Sequence, residues 1–355
     1  MESKVKCLVW DLDNTIWDGV LVEDKAISIR QEVLHVIKTL DERGILQSIS
    51  SKNNFELAIC KLKEFGIEDY FLFPQISWDP KSKGISEIQR NLNIGVESIA
   101  FVDDQVFERD EVQFYLPEVV CIDAADIGSI LEMDVFNPRH LTSDSINRRD
   151  LYKNDILRNN AKNKYTGTEE EFLRSLDMML RIDKVGENDL IRAEELTIRT
   201  QQLNATGYTY SYEELEAFSK DDTYLELIAQ LNDKYGDSGK IGLILIKKSS
   251  AVWTIKLLIT SCRVISRGIG TILLDYIVNA AKCANVRLEA EFVPSKKNRI
   301  MYMTLKLSGF SKNSEKDGVE TLVANYEKMK KLPDYVHIVN NCETMKKNSM
   351  SSKTQ

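Results

Sequence analysis

No apolar run in this chain reaches the length of a membrane span, and the short apolar stretch near the N-terminus stops at Asp11. Neither a transmembrane helix nor a signal peptide is therefore expected. Cysteine is sparse: Cys7, Cys60, Cys121, Cys262, Cys283 and Cys342 are scattered without paired spacing. That pattern argues against a zinc site and a disulfide framework, and for a reducing cytoplasm. The three histidines, His35, His140 and His337, offer no catalytic triad. No GxxxxGK phosphate loop followed by Ser or Thr occurs, so activation by ATP is not expected. The formal net charge of −8 argues against nucleic acid as the main partner. No internal repeat is found.

What is present is a 355-residue chain, 43% apolar and 29% charged, long enough for two globular domains. Its first 125 or so residues alternate strand and helix. KCLVWD (6–11), ILQSIS (45–50), SIAFVDD (98–104) and EVVCID (118–123) read as strands. Residues 32–44, 54–66 and 82–93 have helical spacing, and the first two of these stretches end on Gly44 and Gly66. Such alternation predicts right-handed crossovers and a parallel sheet, with ligands beyond the carboxyl ends of its strands. A polar stretch follows, helical from Ser143, with Ser143 or Asp144 as the expected cap. From about 185 a second domain begins with a helix over 191–204. Strands are predicted over 223–233, 239–248, 252–261, 287–293 and 319–326, with a helix over 271–286. The expected boundaries are 1–145 and 185–332 for the two domains, 146–184 for a helical linker, and 333–355 for a disordered tail.

The stretch LVWDLDNTIWDGV (8–20) raises the first functional question. Residues two apart in an extended chain share a side, so Asp11 and Asp13 can both face the space beyond the sheet. Two buried carboxylates repel and need a compensating cation, which magnesium would supply while also attracting a phosphate. The alternative is a pair of loop aspartates that cap a helix. The second strand runs into Ser51, with Ser50 as the alternative, where a hydroxyl can hold a phosphate oxygen. Lys81 stands just after a proline and before a helix, and the third strand ends on Asp103 and Asp104. Three of four predicted parallel strands thus end on polar groups at one edge.

The order DLDNT, SSKN, Lys, VDD resembles the haloacid dehalogenase (HAD) superfamily of phosphotransferases. The resemblance implies Asp11 as nucleophile and Asp13 as general acid and base, with Ser51 and Lys81 orienting the phosphoryl group. It implies Mg2+ bound by Asp103, with Asp104 behind it, by Asp11 and by the carbonyl of Asp13. Only about 15 residues separate Asp13 from the helix that follows, too few for a cap domain. At closer range, DLDNTIWDGVLVED, SSKNN, ISWDPKS, FVDDQVFERDEV, TQQLN and CRVISRG resemble the FkbH-like proteins over roughly residues 5 to 328. These join an uncapped HAD domain to an acetyltransferase-like (GNAT-like) domain. They load a glyceryl unit from 1,3-bisphosphoglycerate onto an acyl carrier protein and remove its phosphate. The implied fold is α/β: a HAD-like parallel sheet followed by a GNAT-like mixed sheet.

In the second domain Gly268 and Gly270 lie between a strand and a helix, where backbone N–H groups can meet an anion. The comparable GNAT loop holds the coenzyme A pyrophosphate in a Q/R-x-x-G-x-G/A pattern. Here the first position is Ile265, with Arg263 and Arg267 displaced from it. The departure leaves a phosphopantetheine arm, with less phosphate, as the expected ligand. Cys262 can carry an acyl group if nearby cations lower its pKa; the alternative for a lone strand-end cysteine is packing. Arg263, Arg267, Lys296, Lys297 and Arg299 form the expected basic patch for an acidic carrier protein, against the alternative of a solvated surface. Two other functions are open: a plain magnesium-dependent phosphatase whose second domain recognises substrate, and a scaffold that binds carrier protein without turnover.

Overall fold

The computed structural model describes residues 5–24, 26–200, 202–328 and 331–340. They form two compact units, Met1–Lys153 and Asn154–Gln355. No helix among the described residues is long and apolar enough to cross a membrane.

In the first unit, β1 (Cys7–Trp10) is buried along its whole length and leads through a two-strand hairpin, β2 (Trp17–Asp18) and β3 (Ser28–Ile29), to α1 (Gln31–Glu42). Val33, Val36, Ile37 and Leu40 recur at helical spacing and make the buried stripe of α1. The chain continues through β4 (Leu46–Ser51), α2 (Phe55–Glu64), β5 (Gln75–Ile76), α3 (Lys81–Leu92), β6 (Ile99–Asp103), α4 (Val106–Tyr115) and β7 (Val120–Asp123). Asn54 caps α2 by accepting from Leu57 N at 3.0 Å, and Asn93 ends α3 in the left-handed region at φ 52°. The sheet order is β5-β4-β1-β6-β7, and every pairing is parallel. The order reverses at β1, whose neighbours are β4 and β6. The carboxyl ends of these three strands therefore adjoin at a switch point, where open α/β sheets bind ligands. Between Asp13 and α1 the described chain holds only the β2–β3 hairpin as regular structure.

The polar stretch that follows carries α5 (Ser143–Ile146) and α6 (Arg148–Lys164). The cap of α5 is Thr142, not Ser143 or Asp144. Its hydroxyl accepts from Ser145 N at 3.0 Å while Ser145 Oγ accepts from Thr142 N at 2.8 Å. The division between the two units falls inside α6.

The second unit continues with α7 (Glu169–Arg174), β8 (Met178–Lys184), α8 (Leu190–Arg199), α9 (Tyr212–Lys220), β9 (Tyr224–Asp233), β10 (Gly236–Lys248) and β11 (Val252–Thr260). It closes with α10 (Ile269–Cys283), β12 (Arg287–Phe292), α11 (Arg299–Leu307), β13 (Phe310–Lys316), β14 (Val319–Ala324) and β15 (Val336–Asn340). Its sheet order is β13-β14-β12-β11-β10-β9-β8-β15, with β11–β12 and β15–β8 parallel and the other pairs antiparallel. Two expectations are corrected here. The end of the expected linker is β8, whose Met178, Leu180 and Ile182 alternate into the core. Part of the expected tail is β15, paired in register from Val336 opposite Met178; residues 341–355 lie outside the described residues.

Leu225, Leu227, Ala229 and Leu231 of β9 join one core cluster, while Ile228 joins the other with Leu190, Leu196 and Leu215 from α8 and α9. Glu226 shares the parity of Ile228 and is 1% exposed, and neither carboxylate oxygen has a hydrogen-bond partner among the described residues. Burial, then the charge of Asp189, push its pKa from 4.5 to about 7. The folded state therefore holds this proton more tightly than the unfolded chain. Its stabilising effect is complete below about pH 4.5 and is lost as pH rises through about 7, a change of roughly 3 kcal/mol. Glu226→Gln removes the titration. Urea unfolding at pH 5 and pH 8 should show wild type losing more stability between the two than the variant does. Equal pH dependence in the two proteins would contradict this account.

Candidate functional site

Asp11 follows β1 directly, and its N–H donates to Val102 O at 3.0 Å, which ties the chain there to β6. Asp103 is the last residue of β6, and Asp104 follows it. Lys81 opens α3 behind Pro80, whose fixed φ suits a helix start. These elements place Lys81 Nζ 2.7 Å from Asp11 Oδ1, where it donates, and it donates also to Asp103 Oδ2. All three residues are at most 4% exposed. Carboxylate oxygens of Asp11, Asp103 and Asp104 lie within 4.8 Å of one another.

Three carboxylates facing one ammonium leave an excess of negative charge inside the protein. Burial, then Asp11, raise the Asp103 carboxyl to about 7, and the same two causes raise Asp104. Burial alone would lower Lys81, but Asp11 and Asp103 outweigh it and hold the ammonium above its ordinary value. Asp104 Oδ1 is buried with no hydrogen-bond partner among the described residues. Hard oxygen donors, surplus negative charge and an orphaned carboxylate oxygen fit a divalent cation of the magnesium kind.

Asp13 is held apart from that group. The chain turns at Asn14 (φ 54°), and the Asp13 carboxylate accepts from Trp17 Nε1 at 2.8 Å, Leu21 N at 3.1 Å and Asn53 Nδ2 at 2.9 Å. Burial raises its pKa despite these bonds. Among its side-chain donors, Asn53 was not singled out from the sequence. The residue was visible in SSKNN, but its reach to Asp13 depends on the loop path between β4 and α2. Of the two serines, Ser50 donates to Lys81 O at 3.1 Å and is engaged with the start of α3. Ser51, the last residue of β4, is 4% exposed. Arg109, also not anticipated, donates to Asp103 O at 2.7 Å and pairs with Asp123, fastening the ends of β6 and β7.

In the second unit Cys262–Arg267 form a short 3-10 turn, and Gly268 (φ 69°) stands at the N-cap of α10. A Cβ on Gly270 would sit 3.4 Å from the buried hydroxyl of Thr260. Cys262 is half-buried. The arginines depart from expectation. Arg267 is 1% exposed and points inward, donating to Asp233 Oδ2 at 3.0 Å and to Ser238 Oγ at 2.9 Å. Burial, then neighbouring Arg158, lower its pKa to about 10. Arg263 donates to Ser238 O at 3.1 Å. Arg267 is therefore committed to the interior rather than presented to a ligand. Lys296, Lys297 and Arg299 are exposed.

The edge of β11 past its pairing with β12 is also taken. That pairing covers only Val252–Ile255, and beyond it Ala205 N donates to Leu258 O at 3.4 Å and Thr260 N to Leu203 O at 3.3 Å. Val293 N donates to Ala205 O at 3.0 Å, and buried Asn298 donates to the carbonyls of Asn204 and Val293. The segment around Asn204 thus lies as a wedge between the ends of two parallel strands.

No protein-family model matches the chain, and no curated protein matches it. Among solved structures it is similar to the N-terminal part of protein BF1531 from Bacteroides fragilis, which contains a phosphatase domain and was crystallised with Mg. That match has 31% identity and a TM-score of 0.36, and covers 39% of this chain and 42% of that one. It is also similar to the ribosomal-protein-S18-alanine N-acetyltransferase of Escherichia coli, at 17% identity and a TM-score of 0.32, over 41% of this chain and 90% of that one.

Proposed function

We propose that the first unit is a magnesium-dependent phosphoryl-transfer site of the HAD type, within a bifunctional cytoplasmic enzyme of the FkbH-like kind. The enzyme loads a glyceryl unit from 1,3-bisphosphoglycerate onto the phosphopantetheine arm of an acyl carrier protein and removes its phosphate, in polyketide-type biosynthesis. The observation that carries the phosphoryl-transfer reading is the meeting of Asp11, Lys81, Asp103 and Asp104 at the switch point, beside a separately held Asp13.

Asp11, Asp103 and Asp104 would hold the magnesium, which when bound supplies charge compensation for the phosphoryl oxygens. A carboxylate oxygen of Asp11 attacks phosphorus and the ester oxygen leaves with a proton from Asp13. Water then attacks the aspartyl-phosphate, Asp13 takes the proton from that water, and inorganic phosphate leaves. The raised pKa of Asp13 suits a proton donor, and its bonds from Trp17, Leu21 and Asn53 fix where that proton is delivered. Lys81 balances Asp11 and Asp103 and orients the phosphoryl group, and Ser51 offers a hydroxyl to it.

For acyl transfer, a thiolate attacks the acyl-phosphate carbonyl and phosphate leaves as the thioester forms. The thiol is Cys262 or that of the carrier arm itself. A second reading is a plain magnesium-dependent phosphatase whose second unit recognises substrate. The inward Arg267 and the occupied edge of β11 favour it. Incubation of a carrier protein with the enzyme and a source of 1,3-bisphosphoglycerate, followed by intact-mass spectrometry, separates the two. The bifunctional reading expects a glyceryl adduct on the carrier, lost in Cys262→Ala if Cys262 carries the acyl group. Loading that persists in Cys262→Ala assigns direct transfer to the carrier thiol. Phosphate release without any adduct leaves the plain phosphatase.

A further inference from the structure

The two oxygens of the Asp13 carboxylate are held differently. Oδ1 accepts from Trp17 Nε1 at 2.8 Å and from Leu21 N at 3.1 Å, both on the chain between Asp13 and α1. A carboxylate oxygen has two lone pairs, so these donors fill it. Oδ2 accepts only from Asn53 Nδ2, at 2.9 Å, among the described residues, and one of its lone pairs is left for a proton. A proton on Oδ1 would displace a donor, and Trp17 is fully buried, so its N–H would lose its partner at a cost. Asn53 is 2% exposed and is itself fixed from the other side, where its Oδ1 accepts from Asn54 N at 2.9 Å. Turning the amide over would set its NH2 against that N–H and its oxygen against the Asp13 carboxylate. The start of α2 thus reaches Asp13 through one amide whose donor end cannot reverse.

We infer that the proton of the phosphoryl-transfer reaction travels through Asp13 Oδ2, and that Asn53 is the positioning residue that sets this oxygen. The inference rests on the phosphoryl-transfer reading of the Asp11 site and names the atom and the residue that govern its proton. In the first half-reaction Oδ2 gives its proton to the ester oxygen as the P–O bond breaks and the bond from Asp11 to phosphorus forms. In the second, Oδ2 takes a proton from the water that attacks phosphorus, and the Asp11 carboxylate is restored as phosphate leaves. Trp17 and Leu21 cannot set Oδ2, because both hold the other oxygen. Without the Asn53 amide the carboxylate can turn about Oδ1, and Oδ2 loses its place relative to the leaving oxygen.

The test compares kcat/KM for glycerol 3-phosphate, whose alkoxide leaves only with a proton, and p-nitrophenyl phosphate, whose phenolate leaves without one. Asn53→Ala should lower the first by about thirtyfold or more and the second by about threefold or less. With p-nitrophenyl phosphate the variant should still phosphorylate Asp11 but hydrolyse it slowly. A burst of p-nitrophenolate and a phosphorylated Asp11 peptide that lives about tenfold longer than in wild type are expected. Asn53→Asp keeps the size of the side chain and the bond from Asn54 N, loses the amide donor, and should show the same split. Asn54→Ala removes the cap of α2 but keeps its backbone N–H, and should leave the ratio of the two substrates at the wild-type value. An equal fall for both substrates with no longer-lived phosphopeptide, no change at all, or the same split in Asn54→Ala would overturn the assignment of Asn53 and leave the phosphatase reading intact. Failure of wild type to hydrolyse either substrate would remove the phosphatase reading and this assignment with it.

Discussion

Asp11→Asn is expected to lower phosphate release by about a thousandfold or more and leave the fold in place. The amide cannot attack phosphorus, and replacing the nucleophile of a covalent route removes the route rather than slowing one step. The fold survives because the substitution acts on a crowded site. Lys81 keeps its bond to Asp103, and the surplus negative charge around it falls by one. Phosphate release and thermal unfolding should be measured on the same preparation. Turnover near wild type would remove the nucleophile assignment, and collapse of the fold would show that Asp11 serves structure first.

The largest stability effect is expected at Asp233. This fully buried side chain takes a bidentate pair from Arg158, at 2.6 Å and 2.9 Å, and a further bond from Arg267 at 3.0 Å. Asp155 answers the same two arginines from α6. Asp233→Ala leaves two buried guanidinium groups short of their partner, which should cost about 3–5 kcal/mol in urea unfolding. Pairing it with Arg267→Met should recover part of the loss, because one orphaned charge goes with it. A loss below about 1 kcal/mol would mean that water reaches the cluster and that the arginines are not committed to it. Arg267 would then be available to a ligand after all.

The contrast between Asp11 and Arg267 explains what could be read from the sequence. Asp11 and Asp103 sit directly after apolar runs that can only be buried strands, so their position at the carboxyl edge follows from the alternation of strand and helix. Lys81 was legible for a similar reason: proline before a helical pattern marks the start of α3. Arg267 stands beside a glycine turn and reads as exposed, yet its partner Asp233 is 34 residues earlier, at the end of β9. Nothing local announces such a pair. Asn53 is the same case, since its bond to Asp13 spans 40 residues. Elements escaped notice where the apolar signal was thin. In β13, FSKNSEK, only Phe310 is buried, as suits an edge strand. β15 gains its place by pairing with β8, which local pattern cannot show. Thr142 does not stand out as the cap because Ser143 and Asp144 beside it are comparable capping residues, and only the path of the chain selects among them.

The central claim is that Asp11 takes the phosphoryl group covalently. Single-turnover reaction with a phosphate monoester, acid quench and peptide mapping by mass spectrometry would test it directly. The account predicts one phosphoryl group on the peptide containing Asp11, rising and then falling as phosphate appears, and absent in Asp11→Asn. Phosphate released with no phosphorylated peptide at any time, or with the phosphoryl group on another residue, would contradict it.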